Sequence, residues 1–420
     1  MELEADLFRR EAGRLVAIVT RIFGIHNLPL AEDVVQDAFC RALETWKFHG
    51  VPDNPSAWLM TAAKYRALDV LRRERTARNF ATDLGKLLES EWTLVPTVDE
   101  AFDAAGITDV ELRMMFSCIH PSLPEETQVA LVLNLLCGFS VGETAAAFLK
   151  KPGTMERRLT RAKSALAGTK ELFNLAGAAD VAARLPSVLR ALYLLFNEGY
   201  HGASPESSIR GKLCAEALRL ATLLLQNRLT ATPAAHALVA LFDFLAARLP
   251  GRVDAAGNLT LLTDRDRSLW DRTLIAAGRR HLELSASGPE LTVYHVEAAI
   301  AELHADADCV ENTDWDGIVA LYDTLLALEP SPVVALNRAV ALAQRDGPAR
   351  GLEEIGKIED CARLGRYPFY LSAVAEFELR LGHGAKAREA FGAAMKVARN
   401  VDERRFLQMR MSACDSALQS

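Results

Sequence analysis

Apolar residues recur at three- and four-residue intervals along nearly the whole of this 420-residue chain, and runs of alternating β-branched residues are missing. That spacing puts the apolar side chains on one stripe of a helix, whereas a strand would need alternation. The expected fold class is therefore all-α. Only Arg252 to Leu262, around Asn258, offers a hairpin, and a weak one. A chain this long outgrows one ordinary core, so two or three domains are expected. The punctuation divides it into a helical block over 5–78, a linker over 79–109 broken by Gly85, Pro96 and Gly106, a compact helical block over 110–170, and an Ala- and Leu-rich extension over 180–420.

Bulk composition narrows the function by exclusion. The formal net charge of -7 argues against indiscriminate coating of nucleic acid, although it leaves room for local basic surfaces. Seven scattered cysteines without a CxxC pair fit a reducing compartment and buried thiols. The first residues are acidic, and the densest apolar run, Val129 to Cys137, is interrupted by Asn134 and too short to span a bilayer. A cytoplasmic protein without a membrane partner is expected. No glycine-rich phosphate loop, nucleophile elbow or zinc-protease motif is present, so neither an enzyme nor a metal or cofactor site is expected. Cys118-x-His120 lacks a second ligand cluster and reads as structural burial.

Gly138 to Ala167 carries the most informative pattern. Ser140 followed by Glu143 is a capping box that starts a short helix at Val141, with Val141, Ala145 and Phe148 as packing residues. Lys151-Pro152-Gly153 breaks that helix, and Thr154 is placed to cap a second one. In the second helix Met155, Leu159 and Ala162 form a buried stripe, leaving Thr154, Arg157, Arg158, Thr160, Arg161 and Lys163 on other faces. Two helices so arranged make a helix-turn-helix; its arginines can fork onto guanine edges in the major groove while its lysines neutralise phosphate. A charged, solvated face in a plain bundle is the competing explanation.

Two segments of the first block bear on that choice. Val34, Ala38, Ala42 and Trp46 form one apolar row, Val35, Phe39 and Leu43 form its neighbour, and Asp33, Gln36 and Asp37 share the opposite face. This acidic and amide patch is either a dock for a basic partner or simply solvated. A loop, Lys47 to Asn54, follows, and Asn54-Pro55 starts a new helix. That helix carries Trp58, Lys64, Tyr65, Arg66, Asp69, Arg72 and Arg73; from Lys64 to Arg78, six basic residues meet two acids. Aromatics among cations suit unpaired nucleic acid, where bases stack and phosphates need countercharge. Trp58 fits a core position equally well.

Residues 5–170 resemble the two conserved domains of the extracytoplasmic-function group of sigma-70 factors. The segment AEDVVQDAF, Ala31 to Phe39, is similar to the family's polymerase-clamp helix, which implies that Asp33, Gln36 and Asp37 face core RNA polymerase. Ala57 to Glu74 resembles the helix that reads and opens the -10 element, implying roles for Trp58, Lys64, Tyr65, Arg66, Arg72 and Arg73; Lys64-Tyr65 stands where the family usually has Arg-Asn. The loop before it matches the place where the family captures a flipped base, implying Lys47, His49, Asp53 and Asn54. Pro152 to Leu166 resembles the -35 recognition helix, with Arg158, Arg161 and Lys163 on the family's basic positions. Promoter DNA and core polymerase are the implied partners.

The remaining 250 or so residues exceed what this group usually carries. LYLLFNEGY (Leu192 to Tyr200), LCAEALRLA (Leu213 to Ala221), DRDRSLWD (Asp264 to Asp271) and the stretch from Thr313 to Ala341 look like a subgroup with a fused tetratricopeptide-like domain. From about residue 313 the spacing itself hints at helix–turn–helix units, for example Leu381, Gly382, Ala387, Phe391 and Ala394. Asn197 to Tyr200 reads as a helix end with Gly199 in a left-handed turn, and the alternating charges of Asp264 to Asp271 as a salt-bridge network or domain joint. The extension is expected to control activity in cis or to take a peptide or protein partner. The alternatives are a helix-turn-helix regulator with a ligand- or peptide-sensing helical domain, and a peptide-recruiting scaffold.

Overall fold

The computed structural model describes residues 11–20, 28–77, 109–167, 178–202, 209–359, 364–365 and 367–419. The expected linker over 79–109 lies outside them except for Asp109. The chain forms two compact units, one of Met1–Leu195 with Gln226–Thr230 and the other of Phe196–Leu225 with Ala231–Ser420. The described residues are overwhelmingly helical, and the expected hairpin reduces to a single antiparallel bridge between Val253 and Leu259.

The first unit contains α1 (11–20), α2 (Leu28–His49), α3 (Pro55–Ala77), α4 (Val110–Cys118), α5 (Glu125–Leu135), α6 (Val141–Ala147), α7 (Pro152–Ala167) and the start of α8 (Ala178–Tyr200). On α2 the predicted row of Val34, Ala38, Ala42 and Trp46 is buried. Leu43, assigned to the neighbouring row, is instead about half exposed, at 49 %. Helix α2 also takes in the first three residues of the predicted loop, so Lys47 and His49 belong to it. It stops where Gly50 takes φ +77 and its N–H bonds the Trp46 carbonyl at 2.9 Å, a left-handed cap that a side chain would strain. Asn54 caps α3 as expected, its Oδ1 accepting from the Ala57 N–H at 3.0 Å.

Asp109 caps α4 by accepting from the amides of Glu111 and Leu112. The Ser140–Glu143 capping box is complete. Thr154 is not the cap of the next helix, because α7 begins at Pro152. Proline at a first helical position lacks only an N–H that would have had no intrahelical acceptor, so it starts a helix that it would break elsewhere. The break comes earlier, at Leu149, whose φ of 52 lies in the left-handed region. Behind it the Lys150 N–H closes onto the Ala145 carbonyl at 2.8 Å.

Contacts between distant segments knit the blocks of this unit together. Gly13 on α1 lies so close to the end of α5 that a Cβ there would overlap the Leu136 carbonyl. The part of α8 within this unit packs its buried Val181, Leu185, Val188 and Leu192 inward. Beside them the Arg184 guanidinium donates to the Phe116 carbonyl at 3.0 Å, and the Ser187 hydroxyl bonds Gln128 Oε1 at 3.3 Å. The opening turns of the extension thus pack against α4 and α5 within the first unit.

The second unit holds the end of α8, α9 (Gly211–Leu224), α10 (Pro233–Ala247), α11 (Arg272–Ser285), α12 (Val293–Asp306), α13 (Trp315–Leu328), α14 (Pro332–Asp346), α15 (Pro348–Gly356), α16 (Pro368–Arg380), α17 (Gly384–Val397) and α18 (Val401–Gln419). From α12 onward each helix packs on the next, building successive small cores around Ile318, Phe377 and Phe391. Ala387, Phe391 and Ala394, read from the repeat-like pattern, are all buried, and Gly382 turns the chain at φ +80. Gly199 departs from expectation: α8 continues through it, and its φ is not left-handed. Glycine is needed there for packing, since a Cβ would stand 2.8 Å from both the amide nitrogen and the Sγ of Cys214 on α9.

Candidate nucleic-acid interface

Helix α7 separates its faces sharply. Met155, Leu159, Ala162 and Leu166 are at most 3 % exposed, and they anchor the helix on its own unit. Thr154, Arg157, Thr160 and Arg161 lie on the exposed side. Arg157 and Arg161 are one helical turn apart and therefore project together. The Arg157 Nε donates to the Gly153 carbonyl at 3.0 Å, and the Thr160 hydroxyl to the Glu156 carbonyl at 2.9 Å.

The other two basic side chains predicted on this face are engaged elsewhere. Half-buried Arg158 brings Nη1 to 2.7 Å from Glu126 Oε2, a charge contact without good N–H alignment, and Lys150 approaches the same carboxylate at 3.6 Å. Lys163 donates to Glu32 Oε1 at 2.6 Å, 131 residues away on α2. Sequence spacing cannot register either carboxylate, because both belong to other helices.

On α2, Asp33, Gln36 and Asp37 are all exposed. With Leu30, Val34, Val70 and Arg66 they line one shallow pocket between α2 and α3. The Arg66 Nε donates to Asp37 Oδ2 at 2.6 Å, so a side chain read as DNA-facing is paired with one read as polymerase-facing. Both partners are partly exposed, at 37 % and 51 % of their side-chain surfaces, and such a pair is worth little, about 0–1 kcal/mol.

Along α3, Lys64 and Tyr65 face solvent, Tyr65 at 64 %. Trp58 does not stand free; it is half-buried, edge-on to buried Trp46 with centroids 5.5 Å apart. Its packing accounts for the residue without a base. Phe48, which sequence reasoning passed over, is 79 % exposed, with the Lys47 ammonium 5.8 Å from its ring. Together with exposed Val51 it offers apolar surface where α2 meets the loop. An aromatic beside a helix-ending glycine was the available signal. Asp53 and Asn54 remain in that loop, and His49 Nδ1 lies 3.2 Å from the Thr45 carbonyl. Arg72 and Arg73 lie on α3, but their side chains fall outside the described residues.

Cys118 and the charged run after residue 263 lie away from this surface in the chain and have structural roles of their own. Cys118 is fully buried, and burial, followed by the Glu32 charge, pushes its thiol up to about 12. Among the described residues, the alternating charges after residue 263 form no salt-bridge network. Asp266 and Asp271 cap local turns, accepting from the amides of Ser268 and of Thr273 and Leu274. Buried Arg267 donates inward to the carbonyls of His304 and Ala307 and to the Thr313 hydroxyl. Among the described residues, no helix is long and apolar enough to cross a membrane.

Comparison with known proteins follows the same division. Residues 7–77 match sigma-70 region 2, residues 113–166 match sigma-70 region 4, and residues 184–286 match a family of unknown function, DUF6596. An uncharacterised protein of Rhizobium meliloti (strain 1021) is 37 % identical over 92 % of this chain and 90 % of its own length. The ECF RNA polymerase sigma factor SigK of Mycobacterium sp. (strain KMS) is 26 % identical over 37 % of this chain and 76 % of its own. No solved structure matches the chain. Region 2 and region 4 in order, with a long helical domain behind them, make this chain a member of the extracytoplasmic-function sigma-70 family, in the subgroup with a fused C-terminal helical domain.

Proposed function

We propose that this sigma factor docks on core RNA polymerase through Asp33, Gln36 and Asp37, reads the -35 element with α7, and reads and opens the -10 element with α3 and the loop before it. The observation that carries this reading is the pairing of an exposed arginine edge over a buried stripe on α7 with an exposed acid and amide patch on α2. Arg157 and Arg161 are the direct -35 readers; Arg158 and Lys163 join them by exchanging Glu126 and Glu32 for phosphate. At the -10 element Tyr65 and Phe48 supply the stacking surfaces, with Lys64 and Lys47 as countercharge, and Asp53 and Asn54 line the base-capturing loop. The work is done by binding energy: stacking and capture offset the few kcal/mol lost per unstacked step.

The C-terminal helical domain acts in cis on this reading. Its support is the seating of Arg184 and Ser187 against Phe116 and Gln128, which packs the first turns of the extension against region 4. The docking surface is tested by capturing purified core polymerase with the wild-type chain and with Asp33→Arg. Wild type is expected to retain core, and the charge reversal to lose it by at least tenfold in affinity. Failure of the wild-type chain to bind core would favour a helix-turn-helix regulator that works without replacing the sigma subunit.

A further inference from the structure

We propose that the second unit contains a binding site for a small oxyanion, a phosphate or carboxylate group, built from Arg248, Arg252 and Arg265 with Trp270 and His304. This site goes beyond the promoter-binding reading and does not depend on it. Arg248 and Arg252 are 6 % and 5 % exposed, and neither they nor Arg265 forms an ion pair with a carboxylate of any described residue. Two acids of this unit are already matched, Glu198 to Arg210 and Glu403 to Arg399, the second at 2.6 Å. Asp308 and Glu311 lie toward Arg267, whose Nη atoms are committed to neutral oxygens.

Burying several guanidinium groups with no counter-charge is costly, and native structures rarely leave such donors unmatched. Here the unmatched donors gather in one place. The Nε atoms of Arg248, Arg252 and Arg265, the Trp270 indole N–H and His304 Nδ1 are all buried without an acceptor. Arg248 and Arg252 are each seated on an aromatic ring. Arg248 and Arg267 both lie over the Trp270 ring, at 5.3 and 5.0 Å from its centroid. Arg252 sits 3.9 Å over the Tyr200 ring and donates to the Tyr200 carbonyl at 2.6 Å. Planar forks fixed on aromatic faces are the arrangement that recognises a multidentate oxyanion.

The titrating groups report the same positive field. Burial raises the Tyr200 phenol, yet the charges of Arg252, Arg248 and Arg265 outweigh it and leave the group below its usual range. Burial, then Arg248, Arg267 and Arg265, hold His304 well below its ordinary value, so it is neutral. The depth of the cluster sets the ligand class. Groups this buried exclude the backbone of a duplex, so the anion proposed for them is one of a few atoms.

The test is thermal denaturation and calorimetric titration of the full chain with inorganic phosphate, sulfate and malonate, in chloride buffers of matched ionic strength. At least one of these anions is expected to bind at millimolar concentration or tighter and to raise the melting temperature; phosphate and sulfate against malonate tells which chemistry the site prefers. In Arg265→Gln the affinity is expected to fall at least tenfold, while the anion-free melting temperature holds or rises because a buried repulsion is gone. Arg265→Lys, which keeps the charge without the fork, is expected to fall between the two and guards against misfolding of the first variant. The response must survive in Arg157→Ala/Arg161→Ala, which removes the exposed cations of α7. Equal affinity in Arg265→Gln, loss of the response only in the α7 variant, or no anion bound at 20-fold above about 1 mM would overturn the site.

Discussion

Replacing Arg157 and Arg161 together by alanine is expected to abolish -35-dependent initiation while core-polymerase capture stays intact. Both side chains are exposed on one edge of α7, with the helix held from behind by Met155, Leu159, Ala162 and Leu166. A bidentate contact to a guanine edge is worth about 1–3 kcal/mol, so losing two costs about 2–6 kcal/mol. That corresponds to a drop of roughly 30- to 20,000-fold in promoter affinity. The fold is not expected to suffer, because exposed substitutions of this kind usually stay within about 0.5 kcal/mol. Arg158→Ala should act more weakly in a binding assay, since that guanidinium must first leave Glu126. Electrophoretic mobility shift on a promoter fragment, beside circular dichroism, separates these effects. Unchanged promoter affinity in the double variant would remove α7 from DNA recognition.

Gly13→Ala is expected to damage the first unit more than any exposed substitution in it. The added methyl would overlap the Leu136 carbonyl, and a backbone atom cannot swing aside as a long side chain does. Overpacking costs typically 1–3 kcal/mol, and a backbone clash belongs at the upper end. A loss of about 3 kcal/mol lowers the melting temperature of a unit this size by roughly 6–12 °C. The same substitution should loosen the Lys163–Glu32 bond, which joins α7 to α2 within the same unit. Differential scanning calorimetry measures the first effect. A melting temperature within 2 °C of wild type, on the scale of roughly 1 kcal/mol or less, would mean that α1 and the end of α5 are not packed there in solution.

How far the fold was readable in the sequence depends on whether the deciding interaction was local. The buried rows on α2, the stripe on α7 and the Ser140–Glu143 box rest on neighbours within a turn or two, and spacing exposes them directly. Boundaries were less legible where one backbone angle decides. Leu149 takes a left-handed angle that its side chain disfavours, so α6 ends there and Pro152, read as a breaker, becomes a starter. Gly50 likewise moved Lys47 and His49 from loop to helix.

Long-range partners stayed invisible. Nothing around Lys163 announces Glu32, and nothing around Arg267 announces His304, Ala307 and Thr313. The alternating charges from Asp264 to Asp271 look like a surface network in one dimension. Folding sorts them, placing acids on exposed turn amides and Arg267 inside. Tyr65 and Phe48 against Trp58 make the same point for the candidate site. Aromatic character was legible, but which rings are exposed is decided by Trp46, which claims Trp58.

The most direct test is reconstituted initiation with purified core polymerase, the full chain and a supercoiled promoter of the organism's own, probed by permanganate at unpaired thymines. Reactive thymines are expected within the -10 element only when the chain is present, with the signal lost in Asp33→Arg and in Arg157→Ala/Arg161→Ala. Sequence-specific binding of the chain to promoter DNA without core association and without any opened strand would contradict it.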